Sequence, residues 1–197
     1  MVIPATASAP LILASESPRR ASLLHEAGYE FTVVGPPLDE PARLAGNPPP
    51  AALAMALSGY KARSVSETVD RGLVLAADTV STLQGEVFGK PVDRVDAERI
   101  LQSLTGTTHD VITGVTLLDA ATGRRTIRCD VTEVTMKVMS PRELTAYLDS
   151  GEWAGKAGAY GIQDVGDRFV SGIRGSFTNV MGLPMELLTE MMGRFAG

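Results

Sequence analysis

The chain has 197 residues, 44% hydrophobic and 21% charged, the balance of an ordinary globular protein with one substantial core. Its formal net charge of -5 argues against the basic stripe that bulk nucleic-acid binding needs, but leaves room for a local basic pocket. The single cysteine, Cys129, excludes an internal disulfide and a cysteine-rich zinc site, and reads as a small apolar strand residue.

Residues 1–9 read as a flexible tail and 10–197 as a single domain. The opening MVIPATASAP lacks the basic start and apolar run of a signal peptide, and no segment approaches a membrane span. A soluble cytoplasmic protein without a membrane partner is the expectation.

PLILA (10–14) reads as a short buried strand. Ser17 and Pro18 then offer the cap and first residue of a helix with Leu23, Leu24 and Ala27 on its apolar face, and Gly28 offers a stop. FTVVG (31–35) reads as a second strand, followed by a loop with Asp39 and Glu40. A helix opens near Pro50 and includes Lys61, with Gly59 as a weak centre. LVLAA (73–77) is the most apolar strand and is expected to end at Asp78. A loop or hairpin near Gln84-Gly85 leads to Lys90.

Asp93 or Asp96 can cap a helix through Leu104. Residues 111–118 and 126–139 pattern as strands paired around Thr122-Gly123. Ser140-Pro141-Arg142-Glu143 is a capping box opening a helix to about Ser150. The glycine-rich stretch 151–166 reads as a long loop, FVSGIRG and TNVMG as two short strands, and Pro184 as the start of the last helix. Short strands interleaved with helices define an α/β fold.

Ser15-Glu16-Ser17-Pro18-Arg19-Arg20 is the strongest local signal. Helix-start N–H groups and hydroxyls form an anion site, and two arginines in a first turn oppose the helix dipole unless an anion offsets them. A solvated surface pair is the plain alternative. The sequence carries no P-loop. Asp78, after a central strand, can hold a divalent cation or orient a water; it can also be an ordinary turn residue. Glu40 is a weaker candidate of the same kind. Lys61, Lys90 and Lys156 suit a polyphosphate, and the Gln163 amide suits a base edge or phosphate. Trp153 and Tyr160 can stack on a base or simply pack. His25 falls on a helix surface, and His109 precedes a strand in a structural role or near the cleft.

In order and spacing, LILASESPRRASLL, LDE (38–40), YKARSV, AADTV (76–80), GKP (89–91), LTGTTHDVITGV (104–115), KAGAYGIQD (156–164) and NVMGLP (179–184) resemble the Maf family of nucleotide pyrophosphatases. That resemblance implies a mixed α/β fold with a long twisted sheet, flanking helices and two lobes around a nucleotide cleft. Members are often dimeric, so it leaves a homodimer open. It implies hydrolysis of a nucleoside triphosphate between the α and β phosphates with Mg²⁺ or Mn²⁺. Ser15, Arg19 and Arg20 match the phosphate motif. Glu40 and Asp78 match the acidic metal or water-handling positions, Asp78 at the position of the general base. Lys61, Lys90 and Gln163 match further active-site positions.

AGAYGIQD is similar to the dTTP/UTP branch rather than the 7-methyl-GTP branch. Two departures, Thr107 where arginine is common and Ser176-Phe177 before NVMGLP, are expected to bear on base recognition. The resemblance suggests clearing of non-standard or excess nucleotides, with a link to arrest of cell division; a nucleotide-binding regulator of division or septum formation with little hydrolysis is the rival reading.

Overall fold

The computed structural model describes residues 9–37, 48–163 and 168–195. The elements in chain order are β1 (Leu11–Leu13), α1 (Pro18–Glu26), β2 (Phe31–Val33), α2 (Pro50–Ser66), β3 (Leu73–Leu83), β4 (Glu86–Phe88) and α3 (Arg94–Leu104). They continue with β5 (Thr108–Asp119), β6 (Arg125–Met136), α4 (Pro141–Ser150), a 3₁₀ turn (Ala157–Ala159), β7 (Val170–Arg174), α5 (Phe177–Met181) and α6 (Met185–Phe195). Seven strands form one mixed sheet in the order β2-β1-β3-β5-β6-β7, with β4 also on β3. The fold is the mixed α/β architecture expected, with helices on both faces of the sheet.

The β3 strand organises the molecule. Its even positions Val74 and Ala76 bury against Ala62 and Val65 of α2, together with Ile12, Ala14 and Leu118. Its odd positions Leu75 and Ala77 join the larger core, with Leu13, Leu24, Leu101, Leu117 and Leu188. Each of the Val, Leu and Ile side chains among them contributes about 1.5–3 kcal/mol when fully removed from water. The helix α2 lies so close to the sheet that a Cβ on Gly114 would sit 2.3 Å from the Ala54 carbonyl oxygen. Gly59, expected to weaken that helix, has the same use: a Cβ there would be 3.3 Å from Ile127.

Several expectations need correction. The strand at 73–77 does not end at Asp78; it runs to Leu83 because β5 pairs with it from Leu73 to Thr82. The segment TNVMG is helical, not a strand. Ser176 Oγ accepts from the Asn179 amide at 3.1 Å, and Gly182 (φ 109°) closes the far end with its N–H on Asn179 O. Two caps on five residues outweigh the strand preference of Thr and Val. His109 lies inside β5 and is 2% exposed, rather than preceding the strand.

Elsewhere the local signals hold. Asp93 caps α3, Gln84-Gly85 is the two-residue turn of the β3–β4 hairpin with φ of 53° and 86°, and the Ser140–Glu143 capping box is present. Cys129 sits in β6, partly buried. Ala27, placed on the apolar face of the first helix, is instead its exposed C-cap. Among the described residues no helix is long and apolar enough to cross a membrane. The expected tail, apart from residue 9, and the loop carrying Asp39 and Glu40 lie outside the described residues.

Candidate functional site

A gap in the sheet makes the site. One edge of β3 is paired with β5 along almost its whole length. The opposite edge is shared: β1 pairs with Leu73–Leu75 and β4 with Ser81–Leu83. Between them, residues 76–80 have no strand neighbour on that side among the described residues. Asp78 points to the α2 face and Thr79 to the other, yet through this gap both line one cavity of about 420 Å³. Its position beyond the carboxyl end of β1, where the chain turns into α1, is where ligands enter open α/β sheets.

Ser15, Arg19 and Arg20 come from that turn. Arg20 is 8% exposed and is anchored on each of its nitrogens. Nε donates to Gly182 O at 2.7 Å, one terminal nitrogen to Ser15 Oγ at 3.1 Å and the other to Thr79 Oγ1 at 3.2 Å. These bonds leave at most two of the five guanidinium N–H groups for a ligand. Ser15 Oγ also accepts from the Ser17 amide at 3.2 Å, so what remains to it is its own proton, a donor for an anion in the cavity. Ser17 itself makes no side-chain cap; Pro18 starts the helix. Arg19 is half-exposed, with a long contact to Gly155 O at 3.4 Å.

On the other face, Lys61 of α2 donates to Asp78 Oδ1 at 2.5 Å, with both residues 5% exposed. The second oxygen of Asp78 has no recorded partner among the described residues. Lys90 is exposed at the rim and Lys156 is 8% exposed along the wall. The Lys156 stem runs against Gly161, where a Cβ would be 3.1 Å from its Nζ. Gln163 borders the same cavity. The structure thus gathers Ser15, Arg19, Arg20, Lys61, Asp78, Lys90, Lys156 and Gln163 from five segments; Glu40 lies outside the described residues.

Other candidates fall elsewhere. Trp153 does not line the cavity; its indole N–H donates to Leu148 O at 2.9 Å and its ring packs on the core. Tyr160 does line it, but its hydroxyl is committed to His109 Nε2 at 2.8 Å. Burial holds the His109 imidazole down to about pKa 4 and, with Tyr147 nearby, pushes the Tyr160 phenol up. Thr107 bonds to Leu104 O at the end of α3, Ser176 caps α5, and Phe177 is exposed. None of the three lines the cavity, so neither sequence departure reaches the ligand space directly. Sequence reading missed Thr113, Asn179 and the Gly182 carbonyl, which support Arg20 from beneath. The alternation of β3 and β5 puts Thr79 and Thr113 on one face, but their pairing is not visible without the register.

Among the described residues no group of three or more His, Cys, Asp or Glu converges. Among the described residues, the acids lining the cavity are Asp78 and Glu16, against five cations, Arg19, Arg20, Lys61, Lys90 and Lys156. Hard carboxylate oxygen suits a magnesium-like ion, which commonly takes one or two protein carboxylates and completes its shell with water and substrate phosphate. Asp78 fits that pattern. Chemically, the cavity can hold a polyanion with one buried carboxylate among its cations.

This combination of sheet and cleft defines an α/β protein suited to a phosphorylated ligand. The chain belongs to the Maf family: the model described as Maf-like protein matches residues 10–195. It is 40% identical over 185 residues to a protein of Pelotomaculum thermopropionicum named dTTP/UTP pyrophosphatase, covering 94% of this chain and 96% of that one. A protein of Moorella thermoacetica with the same name is 42% identical, covering 94% of each chain. A solved HAM1 protein from Coxiella burnetii is a distant likeness, with 16% identity and a TM-score of 0.47 over 66% of this chain and 73% of that one.

Proposed function

We propose that this chain, acting as one domain over 10–197, hydrolyses nucleoside triphosphates to a monophosphate and pyrophosphate, favouring dTTP and UTP. The observation that carries the reading is Asp78, a buried carboxylate in the wall of a cavity that five cationic side chains also line. The name shared by full-length relatives supplies the bond and the base preference.

Water attacks the α phosphorus and the bond from it to the bridging oxygen breaks, releasing pyrophosphate. Asp78 takes the proton of the attacking water through the oxygen not held by Lys61. Ser15, Arg19 and Arg20 bind phosphate oxygens, and Lys61, Lys90 and Lys156 offset the charge that gathers on the departing pyrophosphate. Gln163 holds base or phosphate at the rim. Asp78, with Glu40, would hold a divalent cation, Mg²⁺ or Mn²⁺, which when bound neutralises phosphate oxygens and makes water a better nucleophile. A cytoplasmic location, close to the nucleotide pool, and a homodimer belong to the same reading; light scattering reads the latter.

The test is product identification after incubation with dTTP, UTP, CTP, GTP and 7-methyl-GTP, with Mg²⁺ or Mn²⁺ and with chelator. Monophosphate and pyrophosphate from dTTP or UTP, lost on chelation, is the expected result. Orthophosphate as the only product, or no turnover of any nucleotide, overturns it. Preference for 7-methyl-GTP overturns the base assignment alone.

A further inference from the structure

The anchoring of Arg20 has a direction that proton counting reveals. Thr113 Oγ1 donates to the Asn179 carbonyl at 3.1 Å, which uses its only proton. In the 2.9 Å contact between the two threonine hydroxyls, Thr79 is therefore the donor and Thr113 the acceptor. Thr79 in turn accepts from Arg20 at 3.2 Å. A one-way chain results: Arg20 to Thr79, Thr79 to Thr113, Thr113 to Asn179 O. Thr79 and Thr113 are register partners in the β3–β5 ladder, so the backbone fixes their spacing, and Thr113 is fully buried.

The same short helix is gripped twice. Arg20 reaches Gly182 O directly at 2.7 Å and Asn179 O through the threonines. Asn179, fully buried, is itself pinned by its Nδ2, which donates to Val111 O at 3.0 Å and Thr132 Oγ1 at 2.9 Å. Arg20 is thus tied to both ends of the α5 cap. A β-branched threonine also has few rotamers, which keeps each hydroxyl in place.

We propose that Thr79 and Thr113 are positioning residues that aim the Arg20 guanidinium into the cavity, with Asn179 as the fixed end of the chain. The proposal rests on the reading of that cavity as a polyphosphate site. It deepens it by tracing how one of its cations is held. With the Thr113 hydroxyl removed, Thr79 loses the acceptor for its proton and is free to rotate. Arg20 then loses the fixed acceptor that Thr79 offers one of its terminal nitrogens.

The test is a double-mutant cycle of Thr113→Val and Arg20→Lys, read by calorimetric binding of inorganic pyrophosphate, with Thr113→Ser as the conservative control. In an otherwise wild-type protein, Thr113→Val is expected to weaken pyrophosphate binding by about tenfold, the scale of one misaligned charge-assisted hydrogen bond. Thr113→Ser restores binding to within about threefold, since it keeps the hydroxyl. In the Arg20→Lys background the Thr113→Val effect shrinks to less than about twofold. Equal weakening in both backgrounds overturns the proposal, because Thr113 then acts through the fold rather than through Arg20. Absence of pyrophosphate binding by the unaltered protein overturns it as well. If pyrophosphate binds and the cycle is coupled but no triphosphate is hydrolysed, the positioning chain stands and the hydrolase reading fails. Hydrolysis with an additive cycle gives the opposite division.

Discussion

Lys61 and Asp78 form a buried ion pair, Nζ to Oδ1 2.5 Å, that joins α2 to β3 between the segments paired with β1 and β4, in the cavity wall. One carboxylate oxygen is thereby fixed, and the other has no hydrogen-bond partner among the described residues. Replacing Asp78 with Asn keeps the shape and removes the base. We expect kcat for dTTP to fall by about 10²–10⁴-fold, the range of general-base contributions, with KM changed far less. Steady-state kinetics on the folded variant checks this, and unchanged kcat removes Asp78 from the chemistry.

Lys61→Met tests the other half of the pair. It leaves the Asp78 carboxylate buried without that counter-charge, and stability should fall by about 3 kcal/mol, the lower end of the range for breaking a buried pair, because Asp78 borders a cavity. Urea unfolding measures the loss. The double variant Lys61→Met with Asp78→Asn should recover much of it, since no charge is then stranded. Strictly additive losses would mean the two residues do not stabilise one another.

Much of this architecture is legible in the sequence because it rests on local rules. Ser140, Glu143 and Pro141 announce α4; Gln84-Gly85 announces a hairpin; Asp93 announces α3. What could not be read was set by distant partners. LVLAA stops being uniformly apolar at Asp78, which marks an end by composition, yet β5 pairs with the strand through Thr82 and β4 with Leu83. TNVMG has strand-like composition, and its helix depends on the Ser176 cap and on Thr132 and Thr113, far away in sequence. The site residues belong to separate motifs, each legible by itself. That Asp78 and Thr79, on opposite faces of one strand, serve one cavity follows only from the missing neighbour between β1 and β4.

Gly114 is a position where packing tolerates no side chain. It pairs with Asp78 across the ladder, and an alanine Cβ would lie 2.3 Å from Ala54 O and 2.6 Å from Met55 N, both backbone atoms of α2. Backbone cannot swing aside as a side-chain tip can, so Gly114→Ala must lift α2 from the sheet. A loss of at least about 3 kcal/mol is expected, at the upper end for overpacking. Chemical denaturation reads this, and a loss below about 1 kcal/mol would mean that α2 shifts easily.

His109 gives the fold a pH dependence whose sign can be worked out. Burial lowers its pKa from 6.5 to about 4, with its ring on the Tyr160 hydroxyl and no hydrogen-bond partner for Nδ1 among the described residues. The folded chain therefore binds this proton less readily than the unfolded chain. The stability from a neutral His109 is fully present above about pH 6.5 and is lost as pH falls toward 4, on the order of 3 kcal/mol in total. His109→Gln keeps a polar group beside Tyr160 and cannot titrate. Melting temperatures of the two proteins from pH 7.5 to 4 should converge as the pH falls, with the change concentrated between 6.5 and 4. A difference that stays constant across this window would show that the imidazole is not held neutral by burial.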